Sequence, residues 1–156
     1  MKDIKQLKPN KHGKYRQGYF DVSKSTKYAG KNSNDKTVIY RSSLEFKLCC
    51  LCETSPKIKS WSSETIAISY DFDGSVHTYW PDFAFETITG KKYLVEVKPM
   101  SQVKCPSVRA SNDVKNTYRK NIAKWNAALA WCAQMNAKCG ADVWHFKIVT
   151  EQFFSI

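Results

Sequence analysis

The chain has 156 residues, 42% of them hydrophobic and 13% aromatic, enough for one domain with a buried core and too much for a globally disordered polypeptide. Lys and Arg number 25 against 14 Asp and Glu, a net charge of +11 that favours a polyanionic partner. No apolar run approaches the ~20 residues that cross a bilayer, and Met1-Lys2-Asp3-Ile4-Lys5 lacks the apolar block of a secretory signal, so neither a membrane protein nor a secreted one is expected.

Residues 1–36 carry ten Lys/Arg and three Asp, a net of +7, without apolar periodicity. They read as a basic N-terminal arm that is irregular or orders on a partner, with Tyr15, Tyr19, Phe20 and Tyr28 either pinning it to the core or stacking on bases. The core domain then runs over 37–156. Ser42-Ser43-Leu44-Glu45 is an S-x-x-E capping box, which predicts a helix through Phe46, Leu48 and Leu51 that Pro56 closes. Alternation over Trp61 to Tyr70 predicts a strand, Asp71-Phe72-Asp73-Gly74 a turn, and His77 to Thr87 a second strand. After the Thr89-Gly90 turn, Lys92 to Lys98 is a third strand, stopped by Pro99. Residues 99–111 read as a loop. Val114, Tyr118, Ile122, Trp125, Leu129 and Cys132 step by three and four along one face of a long helix that Gly140 ends. Val143 to Val149 is the last strand. The order α-β-β-β-α-β predicts an α/β or α+β fold with a mixed central sheet, its last strand reached by a crossover.

Six cysteines in a chain without an export signal suggest free thiols rather than disulfides. Cys49-x-x-Cys52 has a spacing that zinc uses, yet Leu48-Cys49-Cys50-Leu51-Cys52 reads as apolar helix and no second ligand pair follows at short spacing. Core packing is the favoured reading.

The chemistry concentrates in Pro81-Asp82 and Glu96-Val97-Lys98. Glu96 and Lys98 are two apart on one strand and share a face. A three-residue hairpin loop Ile88-Thr89-Gly90, with Gly90 left-handed, pairs Thr87 with Lys91 and sets Asp82 opposite Glu96. Opposed residues have Cβ atoms about 5 Å apart, so two carboxylates there repel unless a cation lies between them. A hard divalent ion such as Mg²⁺, with Mn²⁺ as a substitute, removes the conflict. Phosphodiester hydrolysis uses such a set: a metal to neutralise developing charge and acidify water, and an ammonium group to orient the nucleophile. Asp82 and Glu96 are then the ligands, with the backbone carbonyl of Val97, and Lys98 positions the water.

Pro-Asp followed, after a gap of thirteen residues, by Glu-x-Lys resembles the motif of the PD-(D/E)XK nuclease superfamily. Tyr40-Arg41-Ser42-Ser43-Leu44-Glu45, Tyr79-Trp80-Pro81-Asp82-Phe83 and Tyr93-Leu94-Val95-Glu96-Val97-Lys98-Pro99 are similar to its TnsA-like branch. Chain length and the basic arm are similar to the head completion nucleases of T-even-type phages. The resemblance implies a restriction-endonuclease-like core and an acidic residue from the first helix, here Glu45, as a further catalytic group and metal ligand. It also implies a Mg²⁺-dependent endodeoxyribonuclease acting on phage DNA in head completion or packaging, head or portal/neck proteins as partners, and a place in the host cytoplasm or the virion. Glu45 also completes the capping box with Ser42, and the two roles are compatible.

Lys115, Arg119, Lys120 and Lys124 lie off the apolar stripe of the long helix, preceded by Lys104 and Arg109. Like charges four apart repel, so phosphates are natural partners for them, and Arg41 is a further candidate DNA contact. Two other readings remain open: a DNA-binding structural head-completion or adaptor protein that leaves strands intact, and a DNA-repair or transposon-type nuclease.

Overall fold

The computed structural model describes residues 16–30 and 36–155; the remainder of the basic arm, with Tyr15, lies outside the described residues. In chain order the elements are β1 (Gly18–Asp21), β2 (Thr37–Tyr40), α1 (Ser43–Thr54), β3 (Ile58–Ser63), β4 (Ile68–Phe72), β5 (Ser75–Tyr79), β6 (Phe83–Thr87), β7 (Lys92–Val97), α2 (Met100–Val103), α3 (Asn112–Cys139) and β8 (Trp144–Val149), then a 3₁₀ turn at Glu151–Phe154. The central sheet has the order β3-β6-β7-β8. Its first three strands are antiparallel, and β8 is parallel to β7. A parallel neighbour requires a crossover, and α3 supplies it. The fold is α+β with a mixed central sheet.

Alternation along β7 divides the core. Val95 and Val97 pack with Leu48, Cys49 and Cys52 of α1 and with Trp61 and Phe83. Leu94 packs on the opposite face with Tyr79 and with Ala128 and Cys132 of α3. The cysteines are all free, and Cys49 and Cys52 are fully buried as small apolar groups. Burial pushes the Cys52 thiol up to about 12 and the Cys49 thiol further still. Ser42 caps α1, its Oγ accepting from Glu45 N at 3.1 Å. Gly140, at φ +67°, ends α3 in the left-handed conformation that lacks a Cβ penalty.

Four expectations need correction. The segment 61–70 is not one strand: Glu64, at φ +49°, breaks it, and its second half pairs elsewhere. The segment 77–87 is likewise divided at Trp80-Pro81-Asp82, where proline cannot extend a ladder. The freed halves, β4 and β5, form a separate hairpin around Asp73-Gly74 and pack against α3. Between Pro99 and Ser111 the chain contains α2 rather than loop alone. The described part of the basic arm is not irregular: β1 pairs with β2, and Tyr28 sets its ring 4.9 Å from that of Trp61. A tether reinforces it, since Glu53 accepts from both the Ser25 hydroxyl and the Trp61 indole N–H.

Candidate active site

The β6–β7 hairpin closes through Thr87 N to Lys91 O at 2.8 Å, with Gly90 at φ +85°. Its register, Phe83 with Val95 and Ala84 with Leu94, carried one residue further sets Asp82 across from Glu96. Asp82 Oδ2 accepts from Val97 N at 2.7 Å, while its carbonyl accepts from Glu64 N at 3.1 Å. Glu96 is 3% exposed. One of its oxygens accepts from the Tyr79 hydroxyl at 2.6 Å, and the other lies 3.2 Å from Lys98 Nζ. Glu45, in the first turn of α1, receives Arg41 N at 2.8 Å and the Ser42 hydroxyl at 3.3 Å. Arg41 in turn pairs with Glu64 at 2.6 Å.

A cleft of about 460 Å³ opens beside these groups, lined by Arg41, Glu45, Glu64, Asp82, Val97 and Lys98. Glu96 is not among the lining residues and is held between Tyr79 and Lys98. Burial, then the neighbouring charges of Glu96 and Glu45, hold the Asp82 carboxyl well above the usual carboxylate range. Burial also raises Glu45, against the opposing pull of the Arg41 N–H and charge. For Lys98 burial acts downward, but Glu96 and Asp82 outweigh it and keep the ammonium protonated above its ordinary range.

The donor set of carboxylates and a carbonyl suits a hard divalent cation, and crowded acids with one lysine leave negative charge to be neutralised. Each oxygen of Glu96 and of Glu45 has one protein donor, which leaves a lone pair on each for a cation. Among the described residues no three His, Cys, Asp or Glu side chains close on one point.

Asp82, Glu96, Val97, Lys98 and Glu45 thus come together, and Arg41 joins them. The other basic residues do not. Lys104 and Arg109 are exposed on the segment before α3. Lys115 Nζ donates to the Val108 carbonyl at 2.6 Å, and Arg119 pairs with Asp73 at 3.0 Å and covers the Phe72 ring. Lys120 is half-buried on α3. Lys124 departs from this group: its Nζ sits 5.6 Å over the Tyr79 ring and feels the charges of Glu96, Lys98 and Asp82, while burial lowers its pKa. Two site residues went unread in the sequence. Tyr79 carried the signal of an aromatic hydroxyl next to the Pro-Asp motif; Glu64 carried none. His77 stacks on Tyr70 and is no part of the cleft lining.

Residues 55–151 match the family model for the TnsA-like endonuclease N-terminal domain. The chain belongs to the TnsA-like endonuclease family. Over 138 residues it is also 27% identical to the head completion nuclease of Enterobacteria phage T4, an alignment spanning 81% of this chain and 85% of that protein. The matched region of this TnsA-like endonuclease contains Asp82, Glu96, Lys98 and Lys124, whereas Arg41 and Glu45 precede it. Those two reach the cleft because Ser42 starts α1 at its rim.

Proposed function

We propose that this TnsA-like endonuclease is a Mg²⁺-dependent endodeoxyribonuclease, with Mn²⁺ able to replace Mg²⁺, and that it hydrolyses phosphodiester bonds of phage DNA during head completion. The observation that carries the reading is the opposition of Asp82 to Glu96 with Lys98 at the same cleft. Asp82, Glu96, Glu45 and the Val97 carbonyl are the groups to hold the ion. When bound, Mg²⁺ neutralises charge on the phosphate and lowers the pKa of a water. The chain's own part is positional and electrostatic. Val97 N–H fixes one oxygen of Asp82, and Tyr79 fixes Glu96. Lys98, freed from Glu96, donates a hydrogen bond that holds the attacking water or the developing oxyanion. The water oxygen bonds to phosphorus as the P–O bond to the leaving sugar oxygen breaks; the water's proton passes to solvent or to a neighbouring carboxylate, and the leaving oxygen takes a proton from solvent. Arg41, Lys104, Arg109, Lys115, Arg119 and Lys120 are the residues assigned to backbone phosphates, contacts that orient DNA without reading sequence. The net charge of +11 and the 27% identity to a phage head completion nuclease support DNA as substrate and head or portal proteins as partners, in the host cytoplasm or the virion.

Incubation with circular and linear DNA tests this. Wild type nicks or linearises circles only with Mg²⁺ or Mn²⁺, and Asp82→Ala and Lys98→Ala each abolish cutting. Cleavage that persists in EDTA, or in Lys98→Ala, overturns the assignment.

A further inference from the structure

We infer that a cavity between α2 and the first half of α3 holds one unstacked nucleobase of the substrate DNA beside the scissile phosphate; this rests on the nuclease reading above. The cavity measures about 290 Å³ and is lined by Gln102, Lys104, Val114, Thr117, Tyr118 and Asn121 among others. That is at the small end of ligand pockets, suited to a single ring system rather than to a peptide.

Its position follows from two elements. Val114, Thr117, Tyr118 and Asn121 step along one face of α3, and Lys124, three residues beyond Asn121, faces Glu96 and Asp82. Three residues of helix advance about 4.5 Å. On the other side the chain passes from Lys98 directly into α2, and Gln102 lines both this cavity and the cleft of Asp82 and Lys98. The two spaces are neighbours with a shared wall, so a strand whose phosphate lies at Lys98 places an adjacent nucleotide at the cavity.

The lining fits a base. Tyr118 supplies an aromatic face for stacking. Asn121 is 6% exposed and lines the cavity. An amide offers the donor and acceptor pair that reads a base edge. Lys104 at the lining, with Arg109 exposed nearby in the chain, suits the phosphates on either side. Asp113, the acid of the lining, sits in the first turn of α3, where the helix N-terminus tempers its charge. A nuclease with such a pocket prefers DNA that presents an unpaired nucleotide over fully matched duplex.

The test uses a short duplex carrying one bulged 2-aminopurine, bound to Lys98→Ala chain so that it is not cut. Emission falls on binding as the base stacks on Tyr118, and Tyr118→Ala or Thr117→Met in the same background prevents the fall, the latter by filling the space without adding a ring; Thr117 is exposed, so the second variant guards against misfolding of the first. With Lys98 intact, wild type cuts bulged duplex about tenfold faster than matched duplex, and Tyr118→Ala, Thr117→Met and Asn121→Leu reduce that ratio. Unchanged emission on binding, or the same fall in Thr117→Met, overturns the pocket whether or not DNA is cut. If Lys98→Ala cuts as well as wild type, the nuclease reading fails while the emission result still decides the pocket.

Discussion

Replacing Asp82 with asparagine separates folding from function at this site. Asparagine keeps the shape and an oxygen for the Val97 N–H but removes one of the crowded negative charges. Two opposed carboxylates about 5 Å apart at an effective dielectric near 20 repel by about 3 kcal/mol. Lys98 offsets a comparable amount, leaving burial and the Glu45 charge uncompensated. A net relief of about 1–2 kcal/mol follows, or a rise in Tm of about 3–6 °C for a chain of this size. The pH dependence has a definite sign. A carboxyl whose pKa is raised on folding binds its proton more tightly in the native state, so its ionisation costs stability. That cost is absent below about pH 4, the ordinary aspartate range, and is complete above the folded pKa. The variant's advantage is therefore negligible at pH 4 and largest at pH 8 in EDTA, and Mg²⁺ narrows it by stabilising wild type alone. Scanning calorimetry across pH, with and without Mg²⁺, reads all three, and the same variant is inactive on DNA. An Asp82→Asn chain that melts below wild type at pH 8 in EDTA refutes the charge conflict on which the metal assignment depends.

Tyr79→Phe removes the hydroxyl that holds buried Glu96, and a lost hydrogen bond to a charged group costs about 1.5–3 kcal/mol, so both Tm and cleavage rate fall. Chemical denaturation alongside a cleavage assay checks this, and unchanged values in both would show the bond to be idle. Glu53→Ala deprives Ser25 and the Trp61 indole of a common acceptor; protease sensitivity should rise first between residues 16 and 30, ahead of the sheet. In native protein a thiol reagent at pH 8 should label Cys105 and Cys139 rapidly and spare Cys49 and Cys52, whose thiols burial keeps protonated. Mass mapping of the labelled peptides decides it, and rapid labelling at Cys49 would mean that α1 opens readily.

Local rules wrote the parts of this chain that depend on neighbours in sequence. Ser42 and Glu45 announce the start of α1, Gly140 announces the end of α3, and Gly90 with Thr87 and Lys91 sets a hairpin whose register alone brings Asp82 opposite Glu96. Strand alternation puts Lys98 on the face of Glu96, so the core of the candidate site is legible in the sequence alone. The division at Glu64 is not, because a left-handed glutamate has no compositional mark, whereas Pro81 does mark the second division as a residue that cannot extend a ladder. The β1–β2 pairing was hidden because a Lys-rich segment gains its order from Trp61 and Glu53, which lie far away in sequence and meet its Tyr28 and Ser25.

Tertiary packing decided which distant groups meet the acids. How α3 lies on the sheet takes Lys124 from an outer basic surface to the Tyr79 ring, and the hairpin β4–β5 brings the Tyr79 hydroxyl onto Glu96. The chain turn at Glu64 carries a fourth acid to Arg41 at the cleft. Sequence spacing specifies side-chain direction within one element, because backbone geometry is periodic. It does not specify the rotation of a helix on a sheet, which the burial of whole faces settles.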